Sequence, residues 1–268
     1  MRLTHVLLAC DTNPRYLECW ELARRAWPAI VGIEPRLVLV ASEEEIPANL
    51  REDELIHVFE PLADLHTAFQ AQCIRLLYPA LLDAPGAVLI ADMELMPIDP
   101  RYFHGPLAGL DRSLFVAYRD VHLPRGEIAI PYNAAAPTTW AEIFGILGPE
   151  DIRARLREWG RGLAYGGTRG GAGWYTDQIV LHDVLIPWGS RSRRLWVLDD
   201  QFTGYRRLER EEIEAAGGLT PTVRRRIRAR RYTDFNCLVP HGRFRAINEE
   251  VVELAIRAKG GRRDLAAR

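Results

Sequence analysis

Short apolar runs and helix-spaced apolar stripes alternate through the first half of the chain. Residues Val6, Leu7, Leu8, Ala9 and Cys10 form a continuous apolar run that ends at Asp11, the pattern of a strand buried on both faces. Between residues 13 and 27, Tyr16, Leu17, Trp20, Ala23 and Trp27 fall on one helical stripe, with Asn13 as capping residue and Pro14 at the first helical position. Residues 37–40 and 56–59 read as two further strands, 66–82 as a long helix and 87–91 as another buried strand. Strands and helices alternating at this spacing predict an α/β fold with a mainly parallel sheet covered on both faces.

The second half is less regular. Residues 114–117 and 195–198 read as strands, and 138–145, 149–159 and 174–185 as helices. Between Gly160 and Gly173 glycines are too dense for a regular element, which predicts a mobile loop beside a site. Neither an internal repeat nor a domain linker interrupts the pattern. The expectation is one domain over residues 1–258 and a frayed basic tail over 259–268.

Composition changes this picture little. A chain of 268 residues with 48% hydrophobic residues is long enough for a proper core, which excludes wholesale disorder. Lys and Arg total 35 against 36 Asp and Glu, a net charge of -1, so no global basic pull toward nucleic acid exists. Lys259 is the only lysine, and every other basic side chain of the pair is the planar, bidentate arginine. No stretch approaches the ~20 apolar residues of a membrane span. The N-terminal run is too short for a signal peptide. Cys10, Cys19, Cys73 and Cys237 lack metal-knuckle spacing and read as reduced, buried thiols, which makes a cytoplasmic protein the expectation.

Candidate chemistry concentrates at Asp92 and Glu94. They lie two residues apart behind the apolar run 87–91, and in extended chain that spacing puts both carboxylates on one side. Ligands of open α/β sheets bind beyond the carboxyl ends of the strands. Two hard oxygen ligands there suit Mg²⁺ or Mn²⁺, which would hold a diphosphate. Acidic residues also end strands for no purpose but solvation; Pro97, Asp99 and Pro100 behind them weigh against that simpler origin.

With these residues the sequence resembles the nucleotide-sugar-dependent glycosyltransferases of the GT-A fold, a Rossmann-like, mainly parallel sheet flanked by helices in a single domain. The resemblance rests on the helix around Gln72 to Pro79, the strand ending in Asp92-Met93-Glu94, and the later Asp177-Gln178 pair. It implies transfer of a sugar from a nucleotide-diphosphate sugar, a UDP-sugar above all, to an acceptor hydroxyl. By the same resemblance the base and ribose would lie against Ala9, Cys10, Asp11 and Thr12. Arg75 would face the donor phosphates or sugar, and Asp92 and Glu94 would hold Mn²⁺ or Mg²⁺. A third ligand is expected near the last strand, where this chain has Asn236 and, five residues on, His241. Arg243 or Arg245 would take the clamp role commonly given to lysine.

On the acceptor side, Asp177 is the catalytic candidate, as general base in an inverting reaction or as a stabilising carboxylate in a retaining one. Trp174 and Tyr175 suit stacking on a sugar ring, Gln178 completes the pair, and Tyr132 and Asn133 read as an acceptor-facing loop. A metal-dependent nucleotidyltransferase would also use paired carboxylates, but residues 9–13 lack its glycine-rich phosphate loop. A nucleotide-binding module without turnover remains the non-enzymatic alternative. The acceptor stays open. Arg224, Arg225, Arg226, Arg228, Arg230 and Arg231 would suit a phosphate backbone, as in phage-type transfer to nucleic acid, unless Glu211, Glu212 and Glu214 neutralise them. Oligomeric state is not legible.

Overall fold

In the computed structural model, which describes residues 1–260, the apolar runs become the strands of a seven-stranded sheet. The strands are β1 (Leu3–Asp11), β2 (Glu34–Val40), β3 (Ile56–Phe59), β4 (Ala87–Ile90), β5 (Leu95–Pro97), β6 (Phe115–Ala117), β7 (Asn133–Ala135), β8 (Leu195–Val197), β9 (Arg207–Leu208) and β10 (Asp234–Asn236). The helices are α1 (Pro14–Leu17), α2 (Trp20–Ala26), α3 (Thr67–Leu77), α4 (Pro100–His104), α5 (Pro137–Phe144), α6 (Pro149–Gly160), α7 (Thr176–Ser192), α8 (Asp200–Thr203), α9 (Arg210–Ala215), α10 (Pro221–Arg228) and α11 (His241–Gly260). The main sheet runs β3-β2-β1-β4-β7-β6-β8, and a small sheet β5-β10-β9 stands beside it.

Pairing within the β3-β2-β1-β4 half is parallel throughout, whereas β7 runs antiparallel to both β4 and β6. This is the mainly parallel, helix-flanked α/β sheet that the resemblance implies. The period of two along β1 shows why both faces must be covered. Val6, Leu8 and Cys10 enter a core with Trp20, Trp27 and Val252, while Leu7 and Ala9 enter another with Phe69, Ile74 and Trp140. Helices α2 and α11 thus cap one face, and α3, α5, α6 and α7 the other.

Four expectations need correcting. The stripe over residues 13–27 is not one helix: α1 stops at Leu17, α2 starts at Trp20, and a π-helical turn over Trp27–Val31 follows. Asn13 does cap α1 as expected, accepting from the backbone N–H of Arg15. The long helix narrows to α3, because Pro79 cannot supply the next helical N–H, and a 3-10 turn finishes it at Leu81. Asn133, read as part of an acceptor loop, instead opens β7. Lys259 continues α11 and its Nζ donates to the Ala29 carbonyl at 2.9 Å. The rest of the expected tail, from residue 261, lies outside the described residues.

Candidate active site

The chain leaves the main sheet at Ala91, whose N–H still donates to the Leu7 carbonyl, and enters the small sheet at Leu95. Asp92 and Glu94 occupy the turn between, closed by Leu95 N–H donating to the Asp92 carbonyl at 3.1 Å. The pair therefore hangs between two sheets rather than in extended strand. Asp92 keeps 30% and Glu94 22% of its side chain exposed, so both reach a partly open cleft.

Arg75 connects the two ends of this cleft. It lies on the inner face of α3 among Phe69, Cys73 and Ile74, a position that would be apolar on pattern alone. One guanidinium nitrogen donates to Asp92 Oδ1 and the other to Asp177 Oδ2 at 2.9 Å. Burial disfavours its charge, but Asp92 and Asp177 overcome that and hold it firmly protonated. Asp177 sits in the first turn of α7, almost fully buried, and its own backbone neighbour Gln178 donates to it at 2.9 Å. Burial pushes its carboxyl up to about 6, against the pull of Arg75, and the charge of Asp92 adds to the rise. Burial likewise lifts Glu94, and Asp92 lifts it further.

Around this core the end of β1 forms one wall. Ala9 and Cys10 are buried, while Asp11 and Thr12 are half-exposed. Asp11 accepts from Thr67 Oγ1 at 2.9 Å, which ties the strand end to the start of α3. Tyr165 of the glycine-rich segment forms another wall. Its hydroxyl donates to Gln72 Oε1 at 2.8 Å and its ring lies 5.1 Å from that of His66. The expected mobile loop is thus anchored by an aromatic residue that the glycine density obscured. Trp174 is half-buried and Tyr175 exposed just before α7, beside Asp177 and the half-buried Gln178.

Several candidates fall elsewhere. Tyr132 is fully buried and donates to Asp234 Oδ2 at 2.6 Å, and the Asn133 amide donates to the carbonyls of Ala129 and Ile130. Both are sealed into the sheet, so the acceptor-loop assignment is replaced by a structural one. His241 is buried with its Nδ1 against the Asn248 amide at 3.1 Å and does not join the carboxylates. Arg243 is exposed over the Phe244 ring, and Arg245 pairs with Glu21, so neither contacts the cleft carboxylates.

Sequence reasoning missed Arg210 at the start of α9. Its Nη2 lies 3.5 Å from Glu94 Oε1 and donates to Asn236 Oδ1. Asn236 faces Leu95 across the small sheet, and Cys237 N–H donates to the Glu94 carbonyl at 2.8 Å, so Asn236 does reach the Asp92–Glu94 corner. No sequence signal marked Arg210, which stands among many arginines. Of the basic cluster, Arg224 pairs with Glu250, Arg230 donates to the Ala258 carbonyl, and Arg225, Arg228 and Arg231 face solvent.

Among the described residues no group of three or more His, Cys, Asp or Glu side chains is placed to hold a metal. The corner also holds an amide oxygen, Asn236 Oδ1, which Arg210 joins to Glu94. With Asp92 and Glu94 it makes a set of hard oxygens, the type that suits Mg²⁺ or Mn²⁺. Glu94 is lifted first by burial and then by Asp92, against the pull of Arg210 and Arg75, and the donors fit such an ion by type.

No family model matches the sequence, and no curated protein matches it. Solved structures do. A structure of the galactosyltransferase LgtC is 15% identical, over 94% of this chain and 95% of that one, with a TM-score of 0.45. The glycosyltransferase GlyE of Streptococcus pneumoniae TIGR4 is 13% identical, over 95% of this chain but 60% of that one, with a TM-score of 0.49. Mouse xyloside xylosyltransferase 1 is 10% identical, over 88% of this chain and 98% of that one, with a TM-score of 0.41.

Proposed function

We propose that the chain is a glycosyltransferase that moves a sugar from a nucleotide-diphosphate sugar, a UDP-sugar, to an acceptor hydroxyl. The observation that supports this reading is that Asp92 and Asp177, the carboxylates it assigns to the diphosphate and the acceptor, both accept from the buried Arg75 guanidinium. In this reading the nucleoside lies along Ala9, Cys10, Asp11 and Thr12. Asp92, Glu94 and Asn236 would hold a divalent ion, Mn²⁺ or Mg²⁺, which when bound stabilises the departing diphosphate as a Lewis acid.

The residues of the chain supply the rest. Arg75 holds Asp92 and Asp177 in place and would set a fixed positive charge where the sugar–phosphate bond breaks. That bond yields the nucleoside diphosphate, and a new bond forms between the anomeric carbon and the acceptor oxygen. The proton of the acceptor hydroxyl passes to Asp177 in an inverting course, whereas in a retaining course it passes to the departing diphosphate oxygen and Asp177 stabilises positive charge on the sugar. Tyr175 and Trp174, beside Asp177, offer rings for an acceptor to stack on. Asp177 works in its ionised form in both courses.

The test is release of UDP from UDP-sugars in the presence of Mn²⁺, with acceptor screened separately. Asp92→Asn is expected to lower the rate by about 10²- to 10³-fold, the usual loss for an electrostatic contact to the reacting centre. Nucleotide binding without UDP release from any sugar donor would identify a binding module and overturn the proposal. Among the described residues no helix is long and apolar enough to cross a membrane.

A further inference from the structure

Arg210 sits where a dication is expected. Its Nη2 addresses two of the three oxygen donors at once, Glu94 Oε1 at 3.5 Å and Asn236 Oδ1. The Asn236 amide is held in that sense from its other side, because its Nδ2 donates to Glu209 Oε2 at 3.3 Å. A side chain of Arg210 only 15% exposed keeps the guanidinium inside the cleft. Its Nε is buried and has no hydrogen-bond partner among the described residues. An orphaned buried donor on a charged group is costly, and it signals an anion that is not supplied by the protein. The contact with Glu94 is long, so the hydrogen bond to Asn236 is the main polar contact that holds Arg210 in this position.

A dication and a guanidinium cannot share the same two oxygens, since like charges at contact distance repel strongly in a partly buried cleft. From this competition we propose that Arg210 is a placeholder cation. In the unloaded protein it occupies the position of the divalent ion, and arrival of the ion with a nucleoside diphosphate drives it off Glu94 and Asn236 onto the diphosphate. There its fork, including the unpartnered Nε, would meet two phosphate oxygens. The inference rests on the glycosyltransferase reading above, which makes the anion a diphosphate. With Arg75 on Asp92, Arg210 on Glu94 gives each carboxylate of the pair its own cationic partner.

The experiment measures Mn²⁺ binding and UDP binding separately, by calorimetry on the full chain without sugar donor. Arg210→Gln is expected to bind Mn²⁺ alone at least about tenfold tighter than the wild type, because a competing positive charge is gone. The same variant is expected to bind UDP in saturating Mn²⁺ about tenfold more weakly, because a phosphate partner is gone. Arg210→Lys, which keeps the charge, should leave Mn²⁺ affinity near that of the wild type. A residue that merely supports the fold would weaken both ligands together. Mn²⁺ binding that Asp92→Asn abolishes but Arg210→Gln leaves unchanged would overturn the placeholder role and leave the metal site intact. No Mn²⁺ binding by either protein, with UDP released from a donor in EDTA, would overturn the metal site and the placeholder together.

Discussion

Asp177 shows how burial and a partner act against each other at one residue. The Arg75 guanidinium at 2.9 Å favours the carboxylate, yet removal from water and the charge of Asp92 win, and its pKa rises to about 6. A base with that pKa is largely ionised at neutral pH and still a competent proton acceptor. The transfer rate is therefore expected to rise with pH through about 6 and level off above it, where unperturbed Asp would give a limb near 4. A kcat profile from pH 4.5 to 8 checks this; an acidic limb at or below 4.5 would remove Asp177 from the rate-limiting step. Asp177→Asn should lower kcat by about 10²- to 10⁴-fold while UDP binding is retained. The stability sign is opposite to that of most carboxylates. Because the folded pKa exceeds the unfolded one, the folded chain binds this proton more tightly between about 4 and 6. The contribution of Asp177 to stability is full below about 4 and is lost as pH rises through about 6.

At the scale of elements, the glycine-rich segment between α6 and α7 depends on a few glycines rather than on their number. Gly173 has φ +74°, a conformation L side chains rarely adopt, and an added Cβ there would come 2.8 Å from the Leu163 side chain. Tyr165 then fixes the segment to α3 through Gln72. Gly173→Ala should cost about 1–2 kcal/mol locally, and the loosened segment should raise KM for the donor while global unfolding hardly shifts. Faster protease cleavage between residues 160 and 173 would accompany it. An unchanged KM would mean that the segment does not border the donor site. The elements themselves were legible where physics is redundant. Strands β1, β2 and β4 are buried on both faces, so their apolar runs had no other reading. Strand β7 was not legible, because Asn133, Ala134 and Ala135 carry no β-branched or aromatic signal and only the tertiary context of β4 and β6 makes them a strand. The place of Asp92 and Glu94 just after β4 was readable from the apolar run before them. Arg210 was not, since its meaning comes from the pairing of β10 with both β5 and β9, which brings residues 116 positions apart to one corner.

For the whole molecule, the near-zero net charge conceals a division of labour between two sheets. The main sheet supplies β1 and β4 ends, and the small sheet supplies Asn236; Asp92 and Glu94 bridge the gap. Their geometry is only as good as the joint between the sheets. Asp234, fully buried on β10, makes that joint. It accepts from Tyr132 at 2.6 Å, beside β7, from Tyr205 at 3.2 Å and from Arg207 at 3.2 Å. Burial and the Asp234 charge push the Tyr132 phenol well up, so it stays a donor at all relevant pH. Removing a partner from a buried ion pair leaves an uncompensated charge and costs about 3–5 kcal/mol. Asp234→Ala is therefore expected to lose that much in urea unfolding at pH 7. Tyr132→Phe, which leaves one acceptor site of the carboxylate unmet, should lose about 1–3 kcal/mol. Because Asn236 lies only two residues beyond Asp234 on the same strand, the folded fraction of Asp234→Ala should also bind UDP with Mn²⁺ more weakly, whereas Tyr132→Phe should bind it normally. Weakened UDP binding in Asp234→Ala with unchanged stability would place Asp234 in the site itself. Lost stability with normal UDP binding would mean that β10 holds its register without this joint.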